Sequence, residues 1–248
     1  MPLIDLIDRS RLPQHIAVIM DGNGRWARRQ GEERIFGHRN AISAVRAATE
    51  GCAELDIPYL TLYAFSTENW SRPKYEVDAL MELMVETIHR EMKTLMENNI
   101  RLQTLGDLKG LPAKCARELE EAMMYSRHNT GLTLILAVNY SSQWELTQAM
   151  RRIAQRLSSG EIRPEDITAQ TISNSLQTAG IPNPELMIRT SGEMRLSNFL
   201  LWQLAYAELY FTPVLWPDFS KEDLFEAILE FQKRERRFGM TSEQIRAL

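Results

Sequence analysis

Apolar and polar positions follow two rhythms along this chain. Short, nearly continuous apolar runs occur at HIAVIM (15–20), YLTLYAF (59–65), IRLQTL (100–105), LTLILAV (132–138) and ELMIRT (185–190). Runs of that length, bounded by polar or turn residues, predict strands covered on both faces. Between them the apolar spacing changes to three and four. Ile42, Val45, Ala48, Cys52 and Leu55 share one face of a predicted helix over 38–55. Val77, Leu80, Met81, Met84, Ile88, Met92 and Leu95 share one face of another over 76–97. Stretches 112–127, 142–158 and 221–237 carry the same pattern. Strands alternating with helices predict an α/β fold with a mostly parallel central sheet flanked by helices.

No Gly/Ser-rich or Pro-rich linker and no internal repeat divides the chain. It reads as a single catalytic domain over 15–240, preceded by an N-terminal segment (1–14) and followed by a tail (241–248). In open parallel sheets, ligands bind beyond the carboxyl ends of the strands. Three polar clusters stand at such ends: IMDGNGR after the first strand, AFSTENWSRP after the second, and RTSGEMRLSN after a later one. They are predicted to converge on one rim.

Composition narrows the classes. The chain is 44% hydrophobic and 25% charged, as a globular core requires. No apolar run approaches the roughly 20 residues that span a bilayer. The N-terminus MPLIDLIDRSRLPQ has acids inside its short apolar part, so it reads as a docked or frayed end and not as a signal peptide. Cys52 and Cys115 lie far apart within helical patterns and read as buried reduced thiols, which suits a cytoplasmic protein. Net charge is −4, which argues against generic nucleic-acid binding. Residues 1–46 run against that balance, with eight arginines, no lysine and five acids. About half of those arginines are expected on solvated helix surfaces; the planar guanidinium suits phosphate oxygens held in fixed geometry.

The clusters themselves suggest anion chemistry. In DGNGR the glycines let backbone N–H groups approach a ligand, and the helix that follows offers its positive end. Asp-Gly and Asn-Gly are also ordinary turn dipeptides, and neither Walker A nor GxGxxG is present. Asp21 would repel an anion unless a divalent cation stood between them. Ser66, Glu68, Asn69, Trp70 and Arg72 crowd the second strand exit, where Trp70 reads by type as a core anchor. Arg189, Arg195 and Ser197 flank a Ser-Gly turn and suggest a second phosphate or diphosphate site. His38 is read as the start of a helix, as a cap neighbour or a proton-handling group. Six of the twelve methionines fall between Met81 and Met124, which reads as core first and as the wall of a lipid-lined cavity second.

HIAVIMDGNGRWA, FGH, LTLYAFSTENWSRP and RTSGEMRLSNFLLWQLAYAELYF together resemble the cis-prenyltransferases, and among them the bacterial undecaprenyl diphosphate synthases. The resemblance runs from about residue 15 to RERRFG at 234–239, with the motifs in family order. It implies a hydrophobic product tunnel between the sheet and two helices, which would give the Met-rich segment a function. It implies Mg2+ held by Asp21 and Glu208, with Asp21 beside the allylic diphosphate. Gly22, Asn23, Gly24, Arg25, Trp26, Arg34 and His38 carry over to the allylic site. Ser66, Thr67, Glu68, Asn69, Trp70 and Arg72 match the second block, where the Asn is the proton acceptor. Arg189, Arg195, Leu196 and Ser197 match the isopentenyl diphosphate site. The implied reaction adds isopentenyl diphosphate repeatedly to an allylic prenyl diphosphate such as farnesyl diphosphate, with Z double bonds. Its product would be undecaprenyl diphosphate, a cell-wall carrier lipid. A homodimer is implied, cytoplasmic or peripheral at the inner membrane face, with transient membrane contact for product release.

The chain departs from the family pattern in places. Met194 stands where His is frequent, NYSSQ (139–143) replaces NYGGR, and TSGE replaces TGGE, a mild change where φ is negative. Ile42 stands where a smaller residue is common, and Ile42 and Leu132 are expected to narrow or close the tunnel. A shorter- or medium-chain synthase is the alternative within the class. A non-catalytic partner subunit of the same fold would lose the DGNGR aspartate, which this chain retains as Asp21.

Overall fold

The structure is a computed structural model; it describes residues 1–237 with Gly239, Thr241, Glu243 and Gln244. Phe238 of the RRFG stretch and most of the 241–248 tail lie outside the described residues.

Six strands form the sheet: β1 (His15–Ile19), β2 (Tyr59–Ser66), β3 (Arg101–Leu105), β4 (Thr133–Tyr140), β5 (Leu186–Arg189) and β6 (Glu208–Phe211). Their order is β3-β4-β2-β1-β5-β6, and every neighbouring pair is parallel. The five sequence-predicted strands are all present. The sixth, ELYF, is an edge strand that starts on Glu208 and has only partly buried residues, so no buried apolar run announces it.

The helices are α1 (Asn23–Arg29), α2 (Arg34–Asn40), α3 (Ile42–Glu54), α4 (Lys74–Glu97), α5 (Ala113–Ser126), α6 (Ser142–Ser158), α7 (Ala169–Ser173) and α8 (Lys221–Gln232). The stretch read as one helix from 38 is therefore two, divided at Ala41, and His38 lies in the last turn of α2. Gly37 permits the close seating of α2 on α1, because a Cβ there would meet the Asn23 carbonyl oxygen at 2.0 Å. α8 stops at Gln232, short of the predicted 237. Gln232 is used instead to dock the N-terminal segment: its side chain accepts from the Asp8 N–H (3.1 Å) and donates to the Asp8 carbonyl (2.7 Å).

Side chains alternate across the sheet and feed two cores. On one face Ile16, Val18, Leu60, Leu62, Leu134 and Ile188 pack beneath α3, α4, α5 and α8. On the other, Ala17, Ile19, Ile135, Ala137 and Met187 pack with Phe199, Leu200 and Leu204. Cys52 and Cys115 are buried and free, and burial pushes both thiols up, Cys115 to about 11.

The first core is not filled throughout. A cavity of about 700 Å³ and a second of about 570 Å³ lie between the sheet and α3 and α4, sharing Ile42, Val45, Thr87, Ile88 and Leu136. Leu132 belongs to the packed core and lines neither. Of the methionines on α4 only Met84 faces these cavities; Met92 and Met96 turn toward α5. The cavity wall is instead Leu80, Leu83, Thr87 and Ile88 around Met84.

Candidate active site

The larger cavity opens at the carboxyl ends of β1, β2 and β5, where the three polar clusters meet. Its lining includes Asp21, Gly22, Asn23, Gly24, Arg25, Arg34, His38, Ser66, Asn69, Arg72, Arg189, Arg195 and Ser197. Arg28 adds a sixth guanidinium, against the two carboxylates of Asp21 and Glu193. A strongly cationic mouth on a chain of net charge −4 marks a site for a multivalent anion. Three buried polar atoms on the same wall have no partner: Asn23 Oδ1, Arg189 Nε and Trp216 Nε1. Such orphans are rare in a finished fold and fit a wall built for a polar ligand.

Asp21 follows β1 directly. Its backbone N–H donates to the Thr190 hydroxyl (2.9 Å), and its side-chain carboxylate accepts from Arg189 at 2.9 Å, with Arg25 at 3.6 Å. Burial pushes this carboxyl up, but the Arg189 hydrogen bond and charge, with Ser191 and Arg25, outweigh it and hold it below its usual range. Gly22 makes the turn into α1 at φ 114, a conformation closed to ordinary side chains. Arg34 and Arg72 both reach the Glu76 carboxylate, at 3.5 and 3.1 Å. Burial, then Arg72 and Arg34, push the His38 imidazole down to about 4, so it is neutral at pH 7. It accepts from the Asn23 amide at 3.4 Å through Nδ1, which leaves its proton on Nε2.

The third cluster is a strained loop. Arg189 ends β5 with its side chain only 4% exposed and donates to the Ser197 hydroxyl (2.7 Å) and the Arg195 carbonyl. Ser191, Ser197, Asn198 and Leu200 all have positive φ, at 77°, 49°, 61° and 44°. Left-handed backbone at four non-glycine residues costs stability and persists only where surrounding bonds fix it. The mild reading of TSGE does not hold, because Ser191 needs the conformation that glycine adopts freely. Its compensation is local: Arg25 donates to the Ser191 carbonyl (3.0 Å) and hydroxyl (2.5 Å), tying the first cluster to the third. In NYSSQ, by contrast, Ser141 is extended at φ −151 and carries no strain.

Six of the residues named from sequence do not line this cavity. Trp26 donates to Asp218 (2.6 Å) and stacks on Phe36. Trp70 packs edge-on to Phe65 and donates to Asn139 (2.7 Å), but it is 39% exposed, so it is not the core anchor its residue type suggests. Thr67 and Glu68 occupy the short turn after β2 and line a separate polar cleft; Glu68 accepts from Asn198 (2.8 Å). Leu196 packs against the second core. Glu208 stands apart. It begins β6 opposite Leu186, whereas Asp21 lies beyond the other end of the sheet, and its carboxylate pairs with Arg234 (3.0 Å). Three strand residues separate it from the cavity end, on the order of 10 Å. A shared Asp21–Glu208 metal site within one chain is therefore not formed, and among the described residues no three acidic, His or Cys side chains gather as a metal cluster.

Sequence reasoning missed Glu76, Thr190, Ser191, Glu193 and Trp216. Glu76 was legible as the helical i+4 partner of Arg72. Trp216, donating its backbone N–H to the Asp21 carbonyl (3.0 Å), left no local signal.

The family model described as "Putative undecaprenyl diphosphate synthase" matches residues 19–239. An isoprenyl transferase of Porphyromonas gingivalis (strain ATCC BAA-308 / W83) is 53% identical over 94% of this chain and 92% of its own length. A ditrans,polycis-undecaprenyl-diphosphate synthase ((2E,6E)-farnesyl-diphosphate specific) of Vibrio vulnificus (strain YJ016) is 49% identical over 96% and 94%. Among solved structures, lavandulyl diphosphate synthase from Lavandula x intermedia in complex with dimethylallyl diphosphate superposes with TM-score 0.90 at 36% identity, covering 93% of this chain and 99% of that one. A probable undecaprenyl diphosphate synthase from Campylobacter jejuni superposes with TM-score 0.76 at 32% identity, covering 92% and 98%. With a match that begins inside β1 and takes in all three polar clusters, the chain belongs to this prenyltransferase family of undecaprenyl diphosphate synthases.

Proposed function

We propose that this chain condenses isopentenyl diphosphate units onto an allylic prenyl diphosphate, farnesyl diphosphate by preference, to give undecaprenyl diphosphate. The observation that carries the reading is a single cavity with six arginines at its mouth and Ile42, Val45, Leu83, Met84 and Ile88 further in. A charged head and a long apolar tail fit such a space together.

The division of labour is the one the family resemblance implies. Arg25, Arg34 and Arg72 face the allylic diphosphate, with the open N–H groups at the start of α1. Arg195 and Ser197, braced by Arg189, face the isopentenyl diphosphate. As the allylic carbon–oxygen bond lengthens, these fixed guanidiniums stabilise charge gathering on the departing pyrophosphate. The homoallylic double bond attacks the allylic carbon, and one proton then leaves. The Asn69 carboxamide accepts from the Ser66 N–H (3.1 Å) and is too weak a base to keep that proton. It orients the proton's path, and released pyrophosphate retains it. The neutral His38 adds no competing positive charge.

Asp21 fits Mg2+, which binds through one or two carboxylates with substrate phosphates and retained water. When bound with the diphosphate, Mg2+ would supply Lewis-acid stabilisation of the leaving group. Glu208 is not required of the same chain. The cavities between the sheet and α3 and α4 support the tunnel reading, with Ile42 at their junction. A homodimer and peripheral contact with the inner membrane face remain part of the proposal; no helix among the described residues is long and apolar enough to cross a membrane.

The deciding experiment is product analysis with purified protein, Mg2+, and farnesyl and isopentenyl diphosphates. The expected result is a ladder ending at the undecaprenyl product. A ladder that stops several units short would assign a medium-chain synthase. Absence of any condensed product from folded protein would overturn the reading.

A further inference from the structure

The second cavity continues the first and has a side opening. It lies between α3 and α4 over Leu102 and Leu134, yet Arg46, Glu50, Glu54 and Lys221, all partly or well exposed, also belong to its wall. α3 and α4 barely touch. The apolar space therefore meets solvent through a slit between them. One ion pair joins these two helices among the described residues. Arg46 grips Glu91 with both prongs of its guanidinium, Nε to Oε2 at 2.8 Å and Nη2 to Oε1 at 2.6 Å.

We infer that the Arg46–Glu91 pair is a latch across this slit and a determinant of product length. The inference rests on the prenyl-transfer reading. Closed, the latch keeps a growing tail inside the second cavity. Open, it lets the distal end emerge between α3 and α4, so that elongation is no longer limited by the enclosed volume.

Three features suit the pair to that work. The Arg46 side chain is 48% exposed against 15% for Glu91, so water already reaches the guanidinium side of the pair and can take its place there. Glu91 keeps a second cation when Arg46 swings away, because Arg90 Nε lies 3.2 Å from it; opening strands no lone buried charge. Finally, Arg46 and Glu91 belong to the second cavity and not to the first, so the latch can move without disturbing the arginines at the mouth.

Glu91→Gln and Arg46→Met test this from opposite helices, so a folding failure in one leaves the other. With farnesyl and isopentenyl diphosphates, both variants should give products longer than wild type by one or more isoprene units. Their first-condensation rates should stay within about twofold. Arg46→Lys, which keeps the charge and loses the two-pronged grip, should fall between. A second readout needs no reaction: a fluorescent long-chain fatty acid bound in the cavities should dissociate several-fold faster from both variants. An unchanged ladder in folded variants of an active wild type overturns the latch. Should the wild type make no ladder, the reaction assignment falls instead. Probe release then decides the latch alone, faster in its favour and unchanged against it.

Discussion

At Ser191 the backbone and the side chain pull in opposite directions. The φ of 77° costs a non-glycine residue about 1–2 kcal/mol, while the hydroxyl receives a bond from Arg25. Ser191→Gly loses the bond and sheds the strain; Ser191→Ala loses the bond and keeps the strain. Urea titration should therefore rank Ser191→Ala about 1 kcal/mol or more below Ser191→Gly. Equal midpoints would show that the loop relaxes to negative φ. Asp21 sets the other residue-level test. Asp21→Asn keeps the shape and removes the charge that Arg189 and any bound metal need. Turnover should fall by about 10²–10³, and the melting temperature should drop as well, because the buried Arg189 loses its carboxylate. Chelation of divalent ions should also stop turnover but leave melting unmoved, since no three-ligand cluster is built into the described residues. A large drop in melting temperature on chelation would reveal a structural metal.

The helix α4 shows how one element serves two partners. Its apolar spacing is continuous, but Met84 borders the cavity, with its Sδ also 3.7 Å from Cys115 Sγ of α5, and Met92 faces α5 alone. Met84→Ala should shift the product distribution at little cost in stability, because it borders space that is already open. Met92→Ala should leave products unchanged and lower stability by up to about 2 kcal/mol, the low end for a partly packed methionine. The pair is read by chromatography of products beside thermal melts. A product shift from Met92→Ala and none from Met84→Ala would reverse the assignment of faces. Leu132, 5% exposed and part of the packed core, belongs with Met92 in this comparison.

For the whole molecule, acid sensitivity traces in part to a histidine far from the cavity mouth. His15 bridges the Pro182 carbonyl (2.6 Å) and the Thr61 hydroxyl (2.7 Å) between strands, fully buried. Burial pushes it down to about 4, against the opposing pull of Pro182 and Glu185. The unfolded chain thus binds a proton below pH 6.5 that the folded protein refuses until about 4. Stability is full above 6.5 and declines as pH falls through that window, by up to about 3 kcal/mol. His38 is likewise pushed down to about 4, so it titrates in the same direction and by a similar amount. The depressed Asp21 carboxyl loses its contribution only below the ordinary carboxylate range. Urea midpoints at pH 7 and pH 5 should differ in wild type, and the difference should shrink to about half in His15→Gln, because His38 still titrates. An equal pH dependence in both proteins would move the cause elsewhere.

Local pattern determined the five buried strands and the sites of the polar clusters, because strands covered on both faces must be apolar and because parallel sheets present their carboxyl ends together. It also put the three polar clusters beyond β1, β2 and β5, whereas Arg34 and His38, on α2, were assigned to the site only through the family resemblance. What it could not determine was set by partners distant in sequence. The close seating of α2 on α1 depends on Gly37 against the Asn23 carbonyl, and the strain at Ser191 is held by Arg25. Glu208 looked like a second metal ligand in a conspicuous motif, and only the register of β6 against β5 carries it to the far edge of the sheet. The same holds for the slit between α3 and α4: an amphipathic pattern shows which face of a helix is apolar, but packing decides whether that face meets another side chain or an open space.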